Sequence, residues 1–465
     1  MLEQIIDGAL VAFEIRHILL AFAGAVLGTV LGALPGLLNV PGTPAAVATM
    51  LDGYQMAKQG KGGTALGIDI VSSFFGGQLS VIVLLFGAPI VATFALEIRS
   101  AEFFWIVIFA MSTVGAIGST SPLKGIIAAI LGLAVGVIGS HPMTGALRFT
   151  FNQPALYEGV PVVTALVGLF SISQVLILAE GKGMDSQMNV PRVGSLWPGR
   201  RLLWQLKNTI LRSSIIGTII GLIPGAGADI AAFIGRNEAR RYSKNPELFG
   251  KGAPEGVAAA EAANNAVVGG SLIPMLTLGI PGNAVTAALL GGLLIHGLIP
   301  GPLLFVEAPD VLYPFIFSLF LANLFFAVAA FVGLKYVAKV VLVPQGIVAP
   351  VVGGLAIIGA YSFRNMGFDI WIMFGMGMLG YILRKADYPL APIILGIILG
   401  PMAEENLDRV MTLAQAADLS LMGYFLQRWQ TIILMSLTIL TLVYSLIRGS
   451  RKPRNGTVQL PTEED

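Results

Sequence analysis

Charge-free apolar runs of about 18 residues or more, each long enough to span hydrocarbon, recur along the whole chain and decide its solvent. They lie near 18–38, 76–96, 103–120, 161–179, 311–334, 340–362 and 424–447, with weaker or broken ones near 124–141, 208–235, 264–299, 366–383 and 389–401. Only 12% of the residues are charged against 55% hydrophobic, at a mean hydropathy of +0.81, which no aqueous core with a polar skin can accommodate. The expected fold is an all-α polytopic membrane protein with about 10–12 membrane-embedded segments and no soluble domain. A transmembrane β-barrel would show short alternating strands instead.

Several classes of chemistry drop out at once. The chain has no cysteine, so disulfides and thiolate metal sites are excluded. Its net charge of +2 gives no reason to expect nucleic acid. The N-terminus carries Glu3 and Asp7 instead of a basic region, and no small-residue cleavage site follows the first apolar run, so no cleaved signal peptide is expected. His17, His141 and His296 stand singly, without acidic or cysteine companions at metal-ligand spacing, and are expected to be structural. The glycines of the charged stretch lack the ending of a phosphate-binding loop, so no ATPase is encoded and no cofactor is expected.

Basic residues set the orientation. Lys182, Arg192, Arg200, Arg201 and Lys207 form one cluster, Arg236, Arg240, Arg241, Lys244 and Lys251 a second, and Arg448, Arg451, Lys452 and Arg454 a third. The positive-inside tendency places all three in the cytoplasm. The resulting division is a first membrane repeat over 1–180, abbreviated near 36–41, a cytoplasmic linker over 181–207, and a second repeat over 208–383 with a charged loop at 236–262. C-terminal membrane segments follow over 384–447, then a cytoplasmic tail over 448–465.

This orientation constrains the run from Asn208 to Gly235, which must start and finish on one side. Two full crossings need about 40 residues, so two half-length helices that enter and return fit better. Their turn is "PGAGAD", Pro224 to Asp229. Irregular backbone of this kind is admissible at membrane depth only where protein packs it or it lines a cavity. Pro224, Gly225 and Gly227 are therefore expected at a repeat turn beside a site. Gly217 and Gly221, spaced GxxxG, equally fit simple close helix packing.

The break recurs. "GTVLGALPG", Gly28 to Gly36, aligns with "GTIIGLIPG", Gly217 to Gly225, and "LNVPGTPAAV" resembles "LGIPGNAVTA", Leu278 to Ala287. Paired broken helices from two repeats build the binding sites of many secondary transporters. The copies differ in length. The second has its Pro-Gly pairs at 224 and 281, 57 apart, and the first at 35 and 41, 6 apart, so the first copy is 57 − 6 = 51 residues shorter.

Long motifs then become recognisable. Pro224 to Phe305, Val40 to Gly67 and "APIILGIILGPMAEENLDRVM", Ala391 to Met411, together resemble the large membrane subunit of the tripartite tricarboxylate transporters. The resemblance implies import of a small carboxylate across the bacterial inner membrane, driven by a sodium or proton gradient. It further implies a small membrane subunit and a periplasmic solute-binding protein as partners, alongside the lipid bilayer. The family usually carries a further stretch ending in a "YGGS"-like motif between the first "PG" and "PGTPAAVAT", which this chain lacks. A transport-defective or regulatory relative is the alternative expectation.

Within that reading, helix starts after Gly42 and Gly282 offer unpaired N–H groups and a positive dipole end to a substrate carboxylate. The expected substrate-binding residues are Pro41, Gly42, Thr43, Pro281, Gly282 and Asn283. Ion coupling needs oxygen ligands, for which Asn264, Asn265, Ser271 and Thr277 are the candidates, against ordinary interhelical bonds worth roughly 0.6 kcal/mol each. Asp229 is expected to cap the returning half-helix. Asp69 and Asp369 interrupt apolar runs and are expected at membrane interfaces, while Glu404 and Glu405 meet either a partner or water. The stretch from Glu238 to Asn265 reads as a solvated loop.

Overall fold

The computed structural model describes residues 2–37, 44–117, 122–180, 196–224, 227–340 and 345–450. The chain is an all-α polytopic membrane protein. Its helices are α1 (Leu2–Ala12), α2 (Ile15–Leu37), α3 (Pro44–Lys58), α4 (Gly62–Ala95), α5 (Ser100–Ile117), α6 (Pro122–Gly136), α7 (Val162–Leu166) and α8 (Ser173–Glu180). They continue as α9 (Arg200–Gly221), α10 (Gly227–Tyr242), α11 (Pro254–Leu278), α12 (Ala284–Ile295), α13 (Leu304–Glu307) and α14 (Pro309–Val340). The last are α15 (Gln345–Arg364), α16 (Gly367–Lys385), α17 (Ala391–Ala416), α18 (Leu421–Phe425) and α19 (Trp429–Ser450). A π-helical stretch, Val167–Ile172, joins α7 to α8.

Fewer helices qualify as single crossings than the apolar runs imply. Among the described residues, α4 and the stretch Pro309–Gly333 are long and apolar enough, and Leu2–Ala12 with Ile15–Val26, bent by 72°, passes as a pair. Other apolar runs fall on single helices, α5, α15 and α19, of 18, 20 and 22 residues, or on shorter ones such as α6 and α12. Conversely, α4 begins at Gly62, 14 residues before the run at 76–96, and draws Asp69, Ser72 and Ser73 into the membrane-crossing helix. Asp69 is half-buried in the first third of this 34-residue helix.

α11 is the hub of the first cluster of helices and packs against α3, α4, α9 and α10. Its sequence explains why. Ala258, Ala259, Ala260, Ala262 and Ala263 are fully buried, so the helix has a thin profile and neighbours reach its backbone. A Cβ on Gly76 of α4 would stand 2.3 Å from the Ala262 carbonyl oxygen, and one on Gly217 of α9 would stand 2.2 Å from that of Ala263. Small-residue contact replaces the hydrophobic drive that lipid cannot supply. The solvated loop expected from Glu238 to Asn265 is corrected accordingly: α10 runs to Tyr242, and 254–265 belong to the buried hub.

A second cluster gathers α5, α6 and α19 around α17, while α16 packs on the π-helical stretch and α15. Here Asp369, expected at an interface, is fully buried at the start of α16 and held by the Arg364 guanidinium, Nε donating to Oδ2 at 3.0 Å. A two-stranded antiparallel hairpin, β1 (Gly139–Ser140) with β2 (Leu147–Arg148), covers the polar half of α17. Arg148 grips Glu404, and His141 Nε2 lies 3.1 Å from Asp408, so the fold supplies the acidic companions that His141 lacks in sequence. Glu404 thus meets the chain's own hairpin, and Glu405 pairs with Arg409 on its own helix.

Replacing Gly217 with Val is expected to destabilise the protein by about 1–3 kcal/mol through overpacking, seen as a lowered unfolding midpoint in detergent. Gly354→Ala in α15, where nothing lies within 4 Å of the added methyl, should leave the midpoint unchanged or slightly higher.

Candidate functional site

α3 and α10 lie side by side and run in the same direction. The Ala45 N–H donates to Asp229 Oδ1 at 2.9 Å, and Arg236 Nε donates to Asp52 Oδ2 at 2.9 Å, with the same separation of 184 residues in each pair. Ala45 and Ala48 pack against Ala232 and Ala260 between these two ties. A constant offset at points seven residues apart, about 10 Å of helix rise, fixes parallel register. The helix starts at Pro44 and Gly227 are therefore level with one another. Each directly follows one of the Pro-Gly breaks, so two positive dipole ends adjoin.

Asp229 caps a helix, but not its own. It stands in the first turn of α10 and serves the first turn of α3, which corrects the expectation of a local cap. Its own helix starts instead at Gly227, whose φ of +63° demands glycine.

The third break joins the same place. α11 ends at Gly279 with φ +70° and Pro281 follows, the usual glycine-then-proline stop. Gly282 is buried: a Cβ there would lie 2.9 Å from the Ser271 Cβ and 3.3 Å from the Gly221 carbonyl at the end of α9. Hence the α9 side of the Pro224 turn touches the Pro281–Gly282 break, and the α10 side holds the start of α3. α9 and α10 themselves fold back on one another: a Cβ on Gly235 of α10 would lie 3.6 Å from the Ser213 Cβ of α9. The Pro281–Gly282 break and the start of α3 are brought together about the Pro224 turn. Pro41, Gly42, Thr43 and Gly225 lie outside the described residues.

The individual candidates divide. Asn283 caps α12, its Oδ1 accepting from Thr286 N at 3.0 Å and its backbone N–H donating to Thr286 Oγ1 at 3.0 Å. Its Nδ2 donates to Ser271 Oγ at 3.3 Å, so this amide is engaged by the protein. Thr277 is fully buried and donates to the Ile273 carbonyl at 2.7 Å, a helix-internal role. Asn264 is half-buried on α11. Asn265 reaches across to α4, Nδ2 donating to Ser73 Oγ at 2.8 Å.

That last bond leads to a cluster that sequence reading missed. Asp69 and Ser73 on α4, Glu261 and Asn265 on α11, and Thr49 on α3 converge. Thr49 Oγ1 donates to Glu261 Oε1, and the Ser73 hydroxyl lies 3.2 Å from Glu261 Oε2 and 3.4 Å from Asp69 Oδ1. The Ser73 hydroxyl thus stands between the Asp69 and Glu261 carboxyl groups. Thr49 is one helical turn beyond Ala45, which sets this cluster one turn from the paired helix starts. A sequence signal existed: Asp69 and Ser73, like Glu261 and Asn265, are spaced i, i+4 and form polar stripes on otherwise small or apolar helices.

Asp52 is a different kind of acid. Completely buried, it takes Arg236 on one oxygen and on the other the N–H groups of Gly250 at 2.6 Å, Ala253 at 3.1 Å and Gly252 at 3.4 Å. It fastens the turn ahead of α11 to α3.

Comparison with known proteins bears on this arrangement. Residues 37–395 match the tripartite tricarboxylate transporter TctA family. The chain belongs to that family. An uncharacterised 52.8 kDa protein of Agrobacterium vitis, from the TAR-I ttuC′ 3′ region, is 34% identical over 379 residues, covering 82% of this chain and 75% of the relative. A second uncharacterised A. vitis protein, from the TAR-II ttuC′ 3′ region, is 37% identical over 199 residues, 43% of this chain and 82% of the relative. No solved structure matches. TctA proteins belong to a tripartite transport system, so these converging helix ends stand in a transporter. The family match opens at residue 37, directly after the first Pro-Gly pair at Pro35 and Gly36.

Asp52→Ala should cost about 3–5 kcal/mol by leaving Arg236 buried and unpaired. Asp229→Ala should cost only about 1 kcal/mol, the loss of one cap. Unfolding midpoints in detergent would establish the order, and amide exchange in the Asp229 variant should quicken at the first turn of α3.

Proposed function

We propose that this chain is the large membrane subunit of an importer that moves a small, tricarboxylate-like anion across the bacterial inner membrane. In this reading the work is transport, not catalysis. The substrate arrives from a periplasmic binding protein, a small membrane subunit completes the assembly, and a sodium or proton gradient drives uptake. The C-terminal tail is cytoplasmic, following the basic residues from Arg448 onward.

One observation carries the reading beyond family membership: the starts of α3 and α10 are level, and the Pro281–Gly282 break touches the turn between α9 and α10. Helix starts gathered from distant parts of the chain offer backbone N–H groups and dipole charge to a carboxylate without a buried cation. Gly282 together with the turn residues Pro224, Gly225 and Gly227 forms the proposed wall. Pro281 and Asn283 flank it, and Ser271 and Asn265 line the approach; Pro41, Gly42 and Thr43 are assigned to the substrate from sequence alone.

A second reading rests on the 51-residue difference between the two copies and on the point at which the family match opens. In it the chain folds and assembles but is transport-defective or regulatory.

Vesicles containing this chain, its small subunit and a binding protein separate the two. Accumulation of labelled citrate under an imposed sodium or proton gradient, lost when any component is omitted, is the expected result. Absence of uptake, with recovery after a family segment is grafted between Leu37 and Asn39, would establish the second reading instead.

A further inference from the structure

Each fully buried acid among the described residues meets a cation. Asp52 has Arg236, Asp369 has Arg364, and Glu102 has Arg428 at 2.9 Å. Asp69 and Glu261 have each other. Among the described residues, neither forms an ion pair with a Lys, Arg or His.

Among the described residues, several ionisable groups on the helices packed around the pair are engaged elsewhere. On α3 and α10, Asp52 pairs with Arg236 and Asp229 holds Ala45; on α9, Lys207 and Arg212 lie over the Trp204 and Tyr242 rings; on α11, Glu255 is bonded to Ser243. Asp310 begins α14. None neutralises the pair.

Counting protons exposes what the cluster lacks. Thr49 supplies one to Glu261. Ser73 has a single hydroxyl proton facing both acids, and its oxygen already accepts from Asn265. Carboxylates are acceptors only, so two ionised groups on either side of one hydroxyl present lone pairs to lone pairs, a repulsion that one shared proton converts into a hydrogen bond. Thr49 and Ser73 donate to the acids, and the Asn265 amide nitrogen donates to Ser73 Oγ and to the Glu261 main-chain carbonyl. Hydrogen bonds from Thr49 and Ser73 satisfy single lone pairs of the acids but remove no charge, whereas a proton held between the two carboxyl groups does.

A separate observation marks the place as unfinished. The Ser72 side chain is fully buried, its hydroxyl has no partner in the structure, and at i+3 from Asp69 it shares that residue's side of α4. A buried hydroxyl without an acceptor is costly unless a change of occupancy supplies one.

We propose that Asp69 and Glu261 share one exchangeable proton and form the proton-binding site of the import cycle. The inference rests on the import reading above and makes the proton the coupling ion. Binding takes the pair from two negative charges to one, with the proton arriving from one side of the membrane and leaving to the other. No bond other than that to the proton changes. Thr49 ties the pair to α3, one turn from the proposed substrate wall, so the charge of the pair and the position of that helix change together.

Infrared spectra of the purified full-length chain in detergent provide the direct test, independent of transport. At neutral pH the carbonyl stretch of a protonated carboxylic acid, shifted by deuterium exchange, is expected in the unmodified protein. It should vanish on alkaline titration, be diminished in both Asp69→Asn and Glu261→Gln, and be unchanged when potassium replaces sodium. Should either variant fail to fold, the titration and the cation exchange on the unmodified protein decide between the outcomes. Absence of the band at neutral pH overturns the proposal, as does its loss on adding sodium at constant pH, which would assign the pair to sodium. In complete vesicles, Glu261→Gln should abolish gradient-driven citrate accumulation while retaining citrate exchange. Loss of neither, beside intact wild-type uptake, refutes the coupling role but leaves the import function standing.

Discussion

The close approach of backbone to backbone around α11 is the constraint on which the remainder depends. Apolar side chains gain nothing by leaving lipid for a helix interface, so cohesion here comes from contact, and contact is closest where side chains are smallest. The alanines from Ala258 to Ala263 are fully buried apart from the single acid among them. They let α3, α4, α9 and α10 meet one slender helix. That convergence delivers Glu261 to Asp69 and Asn265 to Ser73.

Ion pairs play a different part from this packing. Asp52, Glu102 and Asp369 each join elements far apart in sequence or secure a helix start, and each has a guanidinium within reach. A buried charge with such a partner and several hydrogen bonds fixes geometry more than it adds stability. The acids of the α3, α4 and α11 cluster are set among neutral groups instead, and that contrast separates a structural tie from a site that can change charge.

Much of this was legible in the residues. Hydropathy gave the all-helical membrane class, and the motifs of the second half gave the family, because both depend on local composition and long identical stretches. The breaks at Pro224 and Pro281 were readable since proline and glycine act on their own backbone. Long-range partners were not. Asp229 looks like a local cap because capping is ordinarily local, yet its oxygen serves Ala45. Glu261 reads as part of a solvated loop because it follows a charged stretch, and only tertiary packing buries the alanines beside it. The spans misled in the opposite sense, since hydropathy counts residues and does not see where a helix turns.

The bond between Ala45 and Asp229 carries a consequence for biosynthesis. Its acceptor lies 184 positions downstream of its donor, so this bond forms only after the start of α10 has been made. Asp52 waits equally long for Arg236. The early half of the polypeptide is therefore inserted provisionally, and its final arrangement is settled only once α10 has been translated.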